Sequence, residues 1–439
     1  MTPIDTIITA RWVIPVEPDE VCLDHHAVAI DKGLIVALGT CDDIAARYRA
    51  DVSIDLPDHA LIPGLVNTHT HAAMSLFRGM ADDLPLNTWL TKHIWPAEMK
   101  WASPEFVRDG SRLAIAEMLK GGTTCFADMY FFPDTVATVA EAANIRACIG
   151  LIVIDMPTAW AQNAEEYFEK GIALHDQVRH SSWVSTLFAP HAPYTVSDIH
   201  LEKIRTLADE LDIPIQMHLH ETAHEIDESV SLHGCRPLQR IERLGLMTPR
   251  LLAVHMTQLL DDEIQSLAEH GVTVVHCPES NLKLASGFCP VTQLIQKNVN
   301  VALGTDGAAS NNDLDMLAEM RCAALLAKGI SADPTTVPAH TALRMATLNG
   351  AQALGLGEQI GSLVPGKAAD LTAINLSGLA TQPLYDPVSQ LVYSASRGQV
   401  SDVFVGGVHV LKNHELTTLD EIEILASAQQ WAAKIKSGP

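Results

Sequence analysis

Eight apolar, strand-like runs, each followed by a longer stretch with helical spacing, constrain this chain more than any other feature. They fall at residues 61–68, 123–129, 146–154, 184–190, 214–219, 251–256, 272–277 and 299–305. Amphipathic segments lie between them, at 104–120, 197–211, 261–270 and 314–328 among others. Near-continuous apolar strands alternating with helices require a parallel sheet covered on both faces. Two arrangements satisfy that requirement, a closed (β/α)8 barrel of the TIM type and a doubly wound open sheet. Eight units favour the barrel, and no Gly-x-Gly-x-x-Gly joins a strand to a helix, as the open sheet's dinucleotide sites need.

The flanks read differently. Residues 1–60 contain short β-like runs, two of them joined by Asp31-Lys32-Gly33, which is a hairpin signal. After residue 356 the same texture returns, with 370–375 and with 402–411 folded about Gly406-Gly407. The two chain ends are expected to pair into one small antiparallel module. The expected organisation is residues 1–60 as the N-terminal part of a β-sandwich and 61–360 as the (β/α)8 barrel. Residues 361–439 supply the C-terminal part of the sandwich and a terminal helix at 419–434.

In such a barrel the loops after the strands gather at one face, where active sites form. The residues closing the runs are therefore informative. They are His69 and His71, His191, the stretch His218-Leu219-His220-Glu221, then His255, His276 and Asp306. In an extended strand, residues two apart share a side, so His69 and His71 can aim both imidazoles at one point. The eighth strand of a closed barrel neighbours the first, which brings Asp306 to that pair. His69, His71, His218 and Asp306 thus make a candidate site for one divalent ion, with zinc first and iron(II) as the alternative. A catalytic ion needs a proton acceptor beside its water. Glu221 stands just past His218 for that task, and His255 on the adjoining strand can hold the water's oxygen. A purely structural zinc site would be closed by thiolates, and the eight cysteines are scattered with no Cys-x-x-Cys pair.

A second motif competes for the same residues. His220-Glu221-Thr222-Ala223-His224 matches His-Glu-x-x-His, the zinc metallopeptidase pattern. That pattern works when both histidines share one helix face. Here it begins at the end of a strand, so the peptidase is the weaker reading.

Taken together, the Pro63-Gly64 and His69-Thr70-His71 stretch, His218-Leu219-His220-Glu221, Val254-His255 and Gly304-Thr305-Asp306-Gly307 resemble the amidohydrolase superfamily over essentially the whole chain. Finer stretches resemble its 5-methylthioadenosine/S-adenosylhomocysteine deaminase family, which is related to the triazine hydrolases. Among them are Ser75-Leu76-Phe77-Arg78-Gly79-Met80, Trp95-Pro96-Ala97-Glu98 and His276-Cys277-Pro278-Glu279-Ser280-Asn281. The resemblance implies His69, His71, His218 and Asp306 as metal ligands, Glu221 as proton shuttle and His255 as the residue orienting the water. It further implies that Glu98 holds the ribose hydroxyls and that His191 contacts the substrate. The fourth run ends Phe188-Ala189-Pro190-His191 with no lysine to bridge two metals, which implies a single ion. The implied reaction is hydrolytic deamination of an adenosine-type nucleoside by a metal-bound hydroxide, with Glu221 and Asp306 assisting proton transfer. 5′-Methylthioadenosine, S-adenosylhomocysteine and adenosine are the implied substrates. No Lys or Arg is assignable to a homocysteine carboxylate, which leans the reading toward methylthioadenosine. A guanine or triazine ring hydrolase on the same metal site, and a scaffold without catalysis, remain as alternatives.

Charge bounds the partners. The formal net charge of −24 argues against nucleic acid and anionic membranes. With 47% hydrophobic residues the chain can build a large core, yet no run reaches the eighteen apolar residues of a membrane span. Scattered cysteines in apolar runs and an N-terminus without a basic-then-apolar leader indicate a cytoplasmic protein. A small-molecule nucleoside is the expected partner, and a homo-oligomer the expected assembly.

Overall fold

A computed structural model describes residues 1–438. Eight parallel strands form the inner sheet in sequence order: Leu65–Thr70, Thr123–Asp128, Arg146–Val153, Val184–Pro190, Ile215–Leu219, Leu251–His255, Thr273–His276 and Val301–Leu303. Nearly every residue of these strands is buried, because helices cover the outside and side chains fill the lumen. The first and eighth strands meet through mixed bonds rather than a regular ladder. Asp306 N donates to His69 O at 3.0 Å, Thr68 Oγ1 donates to Leu303 O at 2.6 Å, and Thr305 N donates to Asn67 Oδ1 at 3.0 Å. The seam of the barrel therefore lies at the His-x-His pair.

The helices begin and end where their sequences say they should. Ser103 accepts from Phe106 N at 3.2 Å and caps Pro104–Lys120, which stops at Gly121. Asp261–His270 buries Ile264 and Leu267 and ends at Gly271, whose φ is +67°. The helix expected at 314–328 runs Met316–Ser331, two residues later at its start, because Asp315 caps it through Leu317 N at 3.0 Å. The terminal helix Glu421–Ser437 docks on Pro104–Lys120, where Trp431 Nε1 donates to Asp109 Oδ2 at 2.9 Å.

Both chain ends build the outer sheet. It contains eight strands, of which Thr2–Val13, Leu23–Asp31, Leu34–Thr40 and Tyr48–Pro63 come from the N-terminus. Leu371–Asn375, Val400–Val405, Val408–Lys412 and Glu415–Leu416 come from the C-terminus. Leu371–Asn375 pairs with Tyr48–Pro63 and joins the two halves. The edge strand Leu34–Thr40 turns back onto residues 366–369, with Ala369 N bonded to Gly33 O at 2.8 Å and Gly366 N to Ile35 O at 2.8 Å. This fold-back encloses a separate core that includes Ile8, Val28, Ile35, Leu371 and Phe404.

Two expectations need correction. The outer module is not wholly antiparallel, since Thr2–Val13 and Tyr48–Pro63 run parallel. The two strands and helix between them are long enough for a crossover connection. The run 61–68 is also not one strand. Leu61–Pro63 ends an outer-sheet strand, and Leu65 starts the barrel. Gly64 sits between them because a Cβ there would lie 2.0 Å from Thr124 Oγ1. The run reads as continuous because both of its parts are buried. Among the described residues, no helix is long and apolar enough to cross a membrane.

Candidate active site

The first barrel strand delivers His69 and His71 to the same side of the sheet rim, as residues two apart must be. Each ring is fixed from behind. Gln216 Nε2 donates to Thr68 O at 2.6 Å, which turns its Oε1 toward His69 Nδ1 at 2.9 Å. His71 Nδ1 donates to Met129 O at 2.6 Å, and His218 Nδ1 donates to His191 O at 2.6 Å. A neutral imidazole whose Nδ1 carries the proton presents a bare lone pair at Nε2. All three rings therefore turn Nε2 inward.

Asp306 completes the group. Its Oδ1 stands 3.2 Å from His71 Nε2 and 3.5 Å from His69 Nε2. Its Oδ2 accepts from Ser280 Oγ and from Ser310 Oγ, both at 2.7 Å. Gly304 allows this approach, since a Cβ there would fall 2.8 Å from His69 N. Mutual donor distances within 4.8 Å link His69, His71 and Asp306, and also link His69, His218 and His255. The donor set fits a divalent ion. His69 Nε2 and His218 Nε2 are 3.1 Å apart with their protons committed elsewhere, so a cation is the natural occupant between lone pairs.

Glu221 and His255 face the same chamber. His255 Nδ1 donates to Asn281 Oδ1 at 2.8 Å, and its Nε2 lies 3.8 Å from Glu221 Oε2. Burial first, and the neighbouring Asp306 charge second, push the Glu221 carboxyl up to about 8. His220, His255 and Asp306 all adopt positive φ, at +52°, +76° and +62°. Such backbone costs ~1–3 kcal/mol per residue and collects at functional sites. It re-aims each side chain as its strand ends.

Glu98 lies on the helix Trp95–Trp101, which follows a wider π-type turn at Leu90–Ile94, and it lines the chamber together with His71, His191 and Glu221. Burial lifts its carboxyl to about 7, against the neighbouring Tyr130 hydroxyl and His71 ring, which pull the other way. His191 Nδ1 is held by Thr195 Oγ1 at 3.0 Å. Burial, and then the His71 and His69 rings, push His191 down to about 3, so it stays neutral. The remaining walls are largely apolar, with Trp89, Ile94, Phe131, Ile154 and Met156 among them, and among the described residues no Lys or Arg lines the chamber.

The metallopeptidase reading is overturned. His220 precedes the helix Ala223–His233 and sits on a left-handed residue, while His224 is exposed within the helix. His220 Nε2 instead accepts from Leu238 N at 3.0 Å. Sequence reasoning missed Gln216, Asn281, Ser280 and Ser310 as partners of the site. Gln216 carried a signal, since it precedes His218 by two residues and so shares its side of the strand. Ser280 and Asn281 lie on the short helix Pro278–Lys283 and Ser310 in a turn after the eighth strand, and no spacing rule ties them to the histidines.

Comparisons with known proteins give the chain's relatives. Residues 60–410 match the model of the amidohydrolase family. A 5-methylthioadenosine/S-adenosylhomocysteine deaminase of Teredinibacter turnerae is 50% identical over 434 residues, covering 99% of this chain and 98% of its own. The zinc-bound crystal structure of an adenosine deaminase from Xanthomonas campestris superposes with a TM-score of 0.99 at 53% identity, covering 100% of both chains. Zinc-bound atrazine chlorohydrolase from Arthrobacter aurescens shares the fold, with a TM-score of 0.90 at 24% identity over 97% of this chain and 100% of its own.

Proposed function

Because the chain belongs to the amidohydrolase family, we propose that it is a metal-dependent aminohydrolase acting on adenosine-type nucleosides. It replaces the 6-amino group of the purine with oxygen and releases ammonia. The substrates are 5′-methylthioadenosine and S-adenosylhomocysteine, with adenosine as a smaller relative.

The observation that carries the reading is the Glu221–His255 pair, 3.8 Å apart, in one chamber with three inward Nε2 atoms and Asp306. His69, His71, His218 and Asp306 would hold one divalent ion, zinc by preference over iron(II). Such an ion, when bound, lowers the pKa of water from about 15.7 toward ~7 and so supplies the nucleophile.

The chain's own groups do the rest. Asn281 keeps the ring proton of His255 on Nδ1, so His255 Nε2 accepts a hydrogen bond from the attacking water and orients its oxygen toward C6. Glu221 takes the water's proton and delivers it to N1 of the ring. Asp306, fixed by Ser280 and Ser310, assists the second proton transfer to the leaving amine. The tetrahedral carbon then closes to the carbonyl and expels ammonia. Glu98 accepts from the two ribose hydroxyls, which a carboxylate can do at once. His191 contacts the ring from the fourth strand.

The apolar walls and the lack of a lining cation support a small uncharged 5′ group, which ranks methylthioadenosine first. Eight free cysteines, five of them buried, support a reducing, cytoplasmic setting for the enzyme, which we take to be a homo-oligomer. Glu221→Gln tests the reading. The variant should keep its metal and lose ~10²–10⁴-fold in turnover.

A further inference from the structure

The turn after the fifth barrel strand holds a buried carboxylate that the chemistry above does not use. His220 N donates to Glu225 Oε1 at 3.0 Å, and Glu221 N donates to Glu225 Oε2 at 2.7 Å. Glu225 reaches back from the first turn of the helix Ala223–His233 and is itself buried. From the opposite side, Thr257 Oγ1 donates to Glu221 O at 2.7 Å, and Thr257 N donates to His220 O at 3.0 Å. The backbone of Glu221 is thus gripped at its N–H by the helix that follows it and at its C=O by the turn that carries Thr257. His220, at φ +52°, lies inside the same grip.

We propose that Glu225 is a positioning residue for Glu221. Its two oxygens hold the left-handed turn that sets where the Glu221 carboxylate stands opposite His255. The proposal rests on Glu221 being the proton shuttle. Only a carboxylate offers an acceptor to each of two adjacent amides. A glutamine offers one acceptor and turns an NH₂ group against the second N–H. An orphaned buried amide then drives the turn to relax. A displacement of the order of 1 Å at a reacting group costs up to ~10²-fold in rate.

The test compares Glu225→Gln with Glu221→Gln and wild type, each as metal-loaded protein. For Glu225→Gln, kcat on methylthioadenosine should fall between about tenfold and a hundredfold. KM and metal per chain should hold. Affinity for a purine analogue with a tetrahedral, hydroxyl-bearing carbon in place of C6 should fall in step with kcat, because binding it needs the shuttle in place. A role in general stability would instead lower the thermal midpoint and metal content together, with kcat per metal-loaded site unchanged, and that pattern overturns the proposal. Normal kcat in Glu225→Gln beside a dead Glu221→Gln also overturns it, with the shuttle reading intact. Near-normal kcat in Glu221→Gln removes the shuttle reading and the proposal with it. Should Glu225→Gln not fold, Glu225→Asp keeps both acceptors one methylene further back. It should show the same kcat loss at unchanged KM, and unchanged kcat there would overturn the proposal.

Discussion

His69 Nε2 and His218 Nε2 stand 3.1 Å apart, and each ring has already given its proton to a partner behind it. Two lone pairs at that distance repel one another, and a cation between them converts repulsion into coordination. Chelation should therefore abolish turnover and also lower the thermal midpoint, since an ion that binds only the folded chain stabilises it. Added zinc should restore both. Metal analysis alongside calorimetry checks this, and an unchanged midpoint after complete metal removal would count against the ligand set.

The approach of the eighth strand to the first depends on Gly304. A Cβ there meets His69 N at 2.8 Å, which is backbone and cannot swing aside. Gly304→Ala should cost ~1–3 kcal/mol of stability, the usual range for overpacking. It should also weaken metal binding, because Asp306 and His69 move apart. Denaturant titration and a metal-competition assay report the two effects. Loss of stability with unaltered metal affinity would show that the seam does not set the site.

Glu98 bears on the substrate class. If its carboxylate holds a ribose diol, Glu98→Gln should lose roughly 1.5–3 kcal/mol on nucleosides, the range for hydrogen bonds to charged groups. That is about ten- to over a hundredfold in kcat/KM, at ~1.4 kcal/mol per tenfold. Free adenine should be far less affected. An equal loss on both would favour a guanine or triazine ring hydrolase, which has no diol to hold.

The same residue predicts a pH effect. Burial raises the Glu98 carboxyl to about 7, so it is ionised above that value and protonated below it. The ionised form is the better acceptor. KM for nucleosides should therefore rise as pH falls through about 7, and the limb should vanish in Glu98→Gln. Steady-state KM between mildly acidic and mildly alkaline pH measures it, and a flat KM in wild type would refute the role.

Much of this was legible in the sequence. The period-two spacing of His69 and His71 decides which side both rings take. The apolar runs before His218, His255 and Asp306 locate those residues at strand ends, and strand ends in a closed barrel share one rim. The break at Gly64 was not legible, because burial on both sides of it makes two strands look like one. Nor was the support behind the rings. Asn281 and Ser280 reach the site from the short helix Pro278–Lys283 and Ser310 from a turn, and where these segments lie follows from tertiary packing and not from any local period. Glu225 was hidden by the His-Glu-x-x-His pattern that ends just before it, which drew attention to His224, an exposed residue.

The central claim is that this site deaminates adenosine-type nucleosides. The direct measurement is turnover by the metal-loaded protein under one set of conditions, read as ammonia release from methylthioadenosine, S-adenosylhomocysteine, adenosine and guanine and as chloride release from a chlorotriazine. Metal-dependent ammonia release from the nucleosides, led by methylthioadenosine and absent from guanine, is the predicted result. Turnover confined to guanine or the chlorotriazine, or none on any member by protein that holds its metal, would contradict it.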